Sequence, residues 1–288
     1  MGVLQNKIDF EAIITVNNAN CNGDPLNGNM PRITDEGFGE ISDVCIKRKI
    51  RNRLMDMGES IFVQSDDKNV DGYDSLKERA DKNPAFGTEL KKGKKANAQV
   101  AYQAACQEWI DVRSFGQVFA FKGEELSLGI RGPVSLHPAF SVDPINITSI
   151  QITKSVNSED TKGGGKASDT MGMKHRVDFG VYLLKGSINV QLAEKTGFTQ
   201  EDAEKIKEAI RTLFVNDSSS ARPEGSMAIY KLYWWEHNCK IGQYSTKKVH
   251  DSLCVSKKQE VSTPKSIDDY QISFTPLEGL NVQEYDGL

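Results

Sequence analysis

The sequence has no apolar run long enough to cross a bilayer, only five cysteines and four histidines, and almost no net charge: 36 Lys and Arg stand against 40 Asp and Glu. Each shortage excludes something. A membrane helix needs about 20 consecutive apolar residues, and the first ten residues carry no apolar signal core, so a cytoplasmic protein without a membrane partner is expected. Cys21, Cys45, Cys106, Cys239 and Cys254 are odd in number and scattered, which fits reduced thiols and no disulfide framework. His237, Cys239, His250 and Cys254 match no zinc-module spacing. Gly163-Gly164-Gly165-Lys166-Ala167 lacks both the spacing and the hydroxyl of a phosphate-binding P-loop. No G-x-S-x-G elbow marks a hydrolase. Neither a cofactor nor a metal is expected.

The missing net charge argues against a simple nucleic-acid binder, which is strongly basic, but the charge is unevenly placed. Residues 259–288 hold Glu260, Asp268, Asp269, Glu278, Glu284 and Asp286 against Lys265, a sum of −5, so the other 258 residues carry −4 minus −5, or +1. This reads as an acidic C-terminal segment on a nearly neutral body with local basic clusters.

What is there organises into alternating patterns. Ile8, Phe10, Ala12 and Ile14 predict a strand over 7–16. The Asn- and Gly-rich stretch 17–40 predicts a long shaped loop. Ser42-Asp43 caps a helix running to Met57, stopped by Gly58, with Ile46, Ile50, Leu54 and Met57 on one face. Lys47, Arg48 and Arg51 flank that face on one side, Lys49 and Arg53 on the other. Residues 58–112 read as a polar insertion with the basic run Lys91-Lys92-Gly93-Lys94-Lys95 and a closing helix from Ala96 to Trp109. Strands are expected over 112–121, 145–156 and 227–235, and a strand or hairpin over 176–192 bending near Gly186-Ser187. Thr199-Gln200-Glu201-Asp202 opens a second helix. The reduced order, βαββαβ, predicts an α+β, ferredoxin-like fold of the RNA-recognition kind. That core would comprise 1–57 and 113–258, with 58–112 inserted and a flexible basic arm at about 155–175.

Candidate binding residues come from loops and cations. Asn18, Asn20 and Asn22 tolerate left-handed backbone and expose amides suited to phosphates. Gly164 and Lys166, near Lys174 and Arg176, suit a flexible basic arm. Asp24 before Pro25 reads first as a turn former. Tyr230, Tyr233, Trp234 and Trp235 alternate between sheet faces, so at least one side is expected to be core. The aromatic RNA-recognition signature is absent, and Arg176–Tyr182 echoes it only loosely.

Asn17–Gly28, Met30-Pro31-Arg32 and Ile41–Arg51 closely resemble the backbone subunit of type I-C Cascade, the seventh CRISPR-associated protein family of the RAMP superfamily. Ile152–Asn157, Thr170–Val177 and Ser219–Gly225 extend the likeness in the same order. The resemblance implies a non-catalytic RNA-binding protein, a modified RNA-recognition palm with a helical insertion at 58–112 and a thumb-like arm at about 155–175, that polymerises head to tail along CRISPR RNA. It would open target DNA to the guide alongside the large, repeat-processing and small Cascade subunits. Phosphate contacts would then come from Arg32, Lys47, Arg48, Arg51, Lys174, His175, Arg176 and Arg222, and Met171 or Met173 would act as an apolar wedge. The rival is an RNA endonuclease: related type III backbone subunits cut RNA with an Asp in the loop after the first strand, the position of Asp24.

Overall fold

The computed structural model describes residues 2–153 and 171–288. The first strand, Ile8–Ala19, is flanked antiparallel by the long strand Met171–Ile188 on one side and by Met227–Glu236 on the other, so that Ala12 lies opposite both Leu184 and Leu232. Outside the long strand lie Ala139–Pro144 and then Phe38–Ile41. Val134–Leu136 and Ile147–Thr153 also pair with the long strand, and Val282–Asp286 forms the other edge. The result is a mixed α/β architecture around a central antiparallel sheet of eight strands.

Side-chain alternation along the first strand sends its residues into two cores. Ile8, Phe10, Ala12, Ile14 and Val16 pack beneath the helices Asp43–Asp56 and Gln200–Arg211, with Ile46, Ile50, Leu54, Ile206 and Ile210. The first helix starts at the expected cap, Ser42, whose Oγ accepts from Cys45 N–H. The second opens on a capping box between Thr199 and Asp202. On the reverse side, Ile13, Val181, Tyr233 and Trp235 meet Val249, Leu253, Val255 and Tyr270. These come from the short helix Thr246–His250 and the hairpin Leu253–Lys257/Tyr270–Phe274. Tyr233, Trp234 and Trp235 are therefore all core, and Tyr230 alone of that cluster is exposed.

Four expectations are corrected. The stretch 17–40 is more structured than a loop: the first strand runs on to Ala19, and Gly23–Asp24 pairs with Met30–Pro31 across a turn whose Gly28 and Asn29 have φ of 58° and 60°. No bend occurs at Gly186. The strand passes straight through, because Phe10 packs against the space where a side chain would stand and a Cβ would also lie 2.7 Å from the Ser135 carbonyl oxygen. The chain then forms a helix, Val190–Thr196, that strand patterning missed. Residues 110–115 are helical, and the strand begins at Gly116. Finally, 259–288 is no separate acidic tail: Tyr270 and Leu280 are buried, and Glu284 and Asp286 lie in the edge strand beside Lys231.

The inserted region has its own core, in which Phe62, Phe86, Leu90, Ala101, Ala105 and Trp109 meet Phe119 and Ile130. Phe119 touches Phe62, Phe86 and Trp109 with ring centroids 4.9, 4.6 and 6.3 Å away. The hairpin Gly116–Ala120/Ser127–Arg131 thus packs with the insertion. Asp111 fastens the unit: its carboxylate accepts from Phe62 and Val63 N–H at 2.7 and 3.1 Å and from Arg51 Nε of the first helix at 2.9 Å.

Candidate nucleic-acid interface

Several expected binding residues converge where the first strand ends. Ala19 pairs with Val177, next to Arg176 on the long strand. Asn20 N–H donates to the Ala221 carbonyl and Asn17 N–H to that of Ser226, which ties the loop 216–226, with Arg222, to the same place. Arg32 N–H donates to the Asn22 carbonyl, bringing the end of the small hairpin alongside. Asn22 Oδ1 accepts from both Ser42 N–H and Ser42 Oγ at 2.9 Å, joining the cap of the first helix.

The asparagines divide by role. Asn18, exposed at φ 52°, keeps its side chain at the surface, bonded to Asn17. Asn20 is buried and donates to the Asn29 carbonyl at 2.7 Å, and Asn22 is held by Ser42. The last two shape the segment, and Asn18 alone of the three is exposed.

The cations divide likewise. Asp217 takes two of them: Arg222 Nε at 3.2 Å and the Nζ of Lys49, whose ammonium is almost wholly buried. Burial pushes the Lys49 pKa down, and the Asp217 carboxylate opposes that. Lys49 is the residue that helical patterning misassigned. It lies between Ile46 and Ile50 on the buried side, and a lysine there signals a buried carboxylate partner. Its partner is 168 residues away in sequence, which no local pattern reveals. Arg51 is bound to Asp111 and lies over the Phe115 ring at 5.3 Å, so it serves the joint with the insertion. Lys47 pairs with Asp43 at 2.9 Å; Arg48 is exposed. The expected basic row on the first helix is thus largely taken up internally.

Arg32 and Arg176 are half-buried, and each has a buried Nε without a hydrogen-bond partner among the described residues; Arg32 also reaches Asp24 at 3.5 Å. Asp24 Oδ1 accepts from Leu26 N–H, capping a single 3-10 turn. Farther along the hairpin 147–153/171–177, Met171, Met173 and His175 share one face with Gln151 and Ser149, and His175 Nδ1 lies 2.7 Å from Ser149 Oγ. Lys174 and Arg176 share the other face with Ile150 and Thr148. Both methionines are more than half exposed. Gly164, Lys166 and most of the expected arm lie outside the described residues.

The curated CRISPR-associated protein Cas7 of Haloferax volcanii is 26% identical over 223 residues, 70% of this chain and 62% of that protein. The chain therefore spans under two thirds of that relative's length. Among solved structures, a chain of a CRISPR RNA-guided surveillance complex, pre-nicking, gives a TM-score of 0.49 at 17% identity, covering 80% of this chain and 78% of that one. A chain of another CRISPR RNA-guided surveillance complex gives 0.41 at 16%, covering 80% and 68%. These two superpositions are too loose to carry an argument. Residues 6–275 match the family model described as CRISPR-associated protein Cas7, and on that match, which takes in most of all three cores and the converging end of the sheet, the chain belongs to the Cas7 family.

Proposed function

We propose that the chain is a non-catalytic backbone subunit of a type I-C surveillance complex. It holds CRISPR RNA by its phosphates, repeats head to tail along the guide and leaves base edges free to pair with target DNA. The family match over 6–275 carries this reading. The placement of strands and helices supports an RNA-recognition-like palm: Ile8–Ala19, Asp43–Asp56, Ala139–Pro144, Met171–Ile188, Gln200–Arg211 and Met227–Glu236 follow in βαββαβ order. The palm differs from open-faced RNA binders in that its second face is packed under Val249, Leu253 and Tyr270. Stacking on the sheet is thereby closed off. Binding falls to the end where Asn18, Arg32, Arg176 and Arg222 meet, a phosphate-type contact suited to sequence-independent holding of a guide. Cytoplasmic placement and contact with the large, repeat-processing and small subunits belong to the same proposal. Among the described residues no helix is long and apolar enough to cross a membrane.

In this reading Asp24 is a turn former: its Oδ1 accepts from Leu26 N–H at 3.1 Å and faces Arg32 at 3.5 Å. A guide-loaded assembly given complementary RNA and magnesium should leave that RNA intact. Cleavage lost on Asp24→Ala would establish the nuclease reading instead. Replacing Arg32 and Arg176 by Ala should strip most co-purifying RNA while leaving the circular dichroism spectrum unchanged; RNA retention at the normal level would refute the placement of the site.

A further inference from the structure

Two of the five thiols stand together, and both belong to the converging end of the sheet. Cys21 follows the first strand, fully buried in the main core, and its Sγ donates to the Tyr182 hydroxyl at 3.6 Å. Cys45 is in the first turn of the helix Asp43–Asp56, half-buried, with its Sγ 4.0 Å from the Cys21 carbonyl oxygen. The other three are placed elsewhere, Cys106 in the insertion's core and Cys239 and Cys254 exposed. The backbone already clamps the pair. Asn22 Oδ1 accepts from Ser42 N–H and Oγ, and Cys45 N–H donates to Ser42 Oγ at 3.3 Å.

The two sulfurs differ in their surroundings. Burial pushes the Cys21 thiol up to about 11, the bond to Tyr182 pulls against that, and the neighbouring Cys45 adds to it. Cys21 therefore stays protonated at neutral pH, out of reach of solvent. Cys45 is the accessible member, and the Lys49 ammonium one turn along the helix is within electrostatic reach of it. Partial exposure beside a cation is the setting in which cysteines meet oxidants, and a second thiol close by converts the first product to a disulfide.

We propose that Cys45 and Cys21 are a peroxide-sensitive pair that closes a disulfide and thereby loosens the guide-holding end of the palm; the second part rests on the function proposed above. The Cys45 sulfur attacks one peroxide oxygen and the O–O bond breaks, leaving Cys45 as a sulfenic acid, S–OH, and releasing water. The Cys21 sulfur then attacks the Cys45 sulfur. The S–O bond breaks, and the departing hydroxide takes the Cys21 proton as a second water. Two electrons pass from the thiols to the peroxide. A disulfide holds its Cβ atoms about 3.8 Å apart, so Cys21 must turn from Tyr182 toward the helix. Asn20, the preceding residue, donates its N–H to the Ala221 carbonyl. Turning Cys21 therefore pulls on the bond that brings the loop of Arg222 to the site.

The test treats the guide-loaded assembly with hydrogen peroxide, blocks remaining thiols with an alkylating agent and maps the unreduced tryptic fragments. Trypsin frees Cys21 in fragment 8–32 and Cys45 in fragment 33–47. The expected product is these two joined, lighter by two hydrogens than their sum and separated by dithiothreitol. Guide affinity should fall about tenfold on oxidation, read as RNA lost during gel filtration. Cys45→Ser should load guide normally and keep it after peroxide, with Cys45→Ala in its place if the serine variant does not load. Fragments 8–32 and 33–47 that stay separate while the exposed Cys239 and Cys254 are oxidised would overturn the pairing. A bridge formed with RNA fully retained would overturn its effect on the guide, and equal RNA loss from the Cys45 variant would overturn the assignment to this pair. Wild-type protein that carries no guide at all would overturn the function proposed above, and the fragment map of that protein would then test the thiol pair alone.

Discussion

At the scale of single residues, two buried charges show what the fold demands. Asp217 neutralises Lys49 and Arg222 together, so its removal leaves an almost fully buried ammonium without a counter-ion, whereas removal of Lys49 leaves Asp217 still paired with Arg222. Asp217→Ala should therefore destabilise by about 3–5 kcal/mol, and Lys49→Met by about 1 kcal/mol, in urea unfolding. Similar costs for the two would contradict the shared arrangement. Glu11 is the opposite case. It is fully buried, neither carboxylate oxygen has a hydrogen-bond partner among the described residues, and Lys185 Nζ stands 3.7 Å away. Burial pushes its pKa from the ordinary 4.5 to about 8, against the pull of Lys185. The folded state thus keeps a proton that the unfolded chain releases, and stability falls as pH rises from about 4.5 to 8, by about 5 kcal/mol at most. Glu11→Gln should remove that slope and stabilise the protein at pH 8; wild type and variant with parallel pH profiles would contradict it. Asp9, on the same face, is handled differently. Burial alone would raise its carboxyl, but bonds from His237, Lys7 and Thr246 outweigh that and hold it below its usual range.

At the scale of elements, what the sequence exposes is whatever local chemistry decides. The helices Asp43–Asp56 and Gln200–Arg211 announce themselves through Ser42 and Thr199, whose hydroxyls bond within three residues. Gly186-Ser187 misleads for the converse reason. Glycine there reads as a bend, but its cause is the Phe10 ring on the neighbouring strand, 176 positions away. Gly186→Ala must displace Phe10 or the strand Val134–Leu136, which should cost about 2 kcal/mol; a neutral result in thermal unfolding would contradict the tight packing. The candidate site divides in the same way. Arg32, Arg176, Arg222 and the asparagine segment stand out by residue type. That Arg51 and Lys49 serve internal carboxylates depends on Asp111 and Asp217, which only the tertiary fold brings near.

At the scale of the molecule, the near-zero net charge is spread through the fold. The acids of 259–288 do not form a separate tail, because Val282–Asp286 closes the sheet edge and Tyr270 and Leu280 fill the second face. Deleting 259–288 should uncover Tyr233 and Trp235, giving an aggregating protein that binds a hydrophobic dye. A soluble, cooperatively folding truncation would contradict that role. The covering of this face is also why the proposed RNA site lies at the end of the sheet. The proposed guide binding is tested most plainly by the length and sequence of nucleic acid that co-purifies with the protein. A backbone subunit should carry RNA of one defined length sharing a common repeat-derived segment. Absence of RNA, or RNA heterogeneous in both length and sequence, would contradict it.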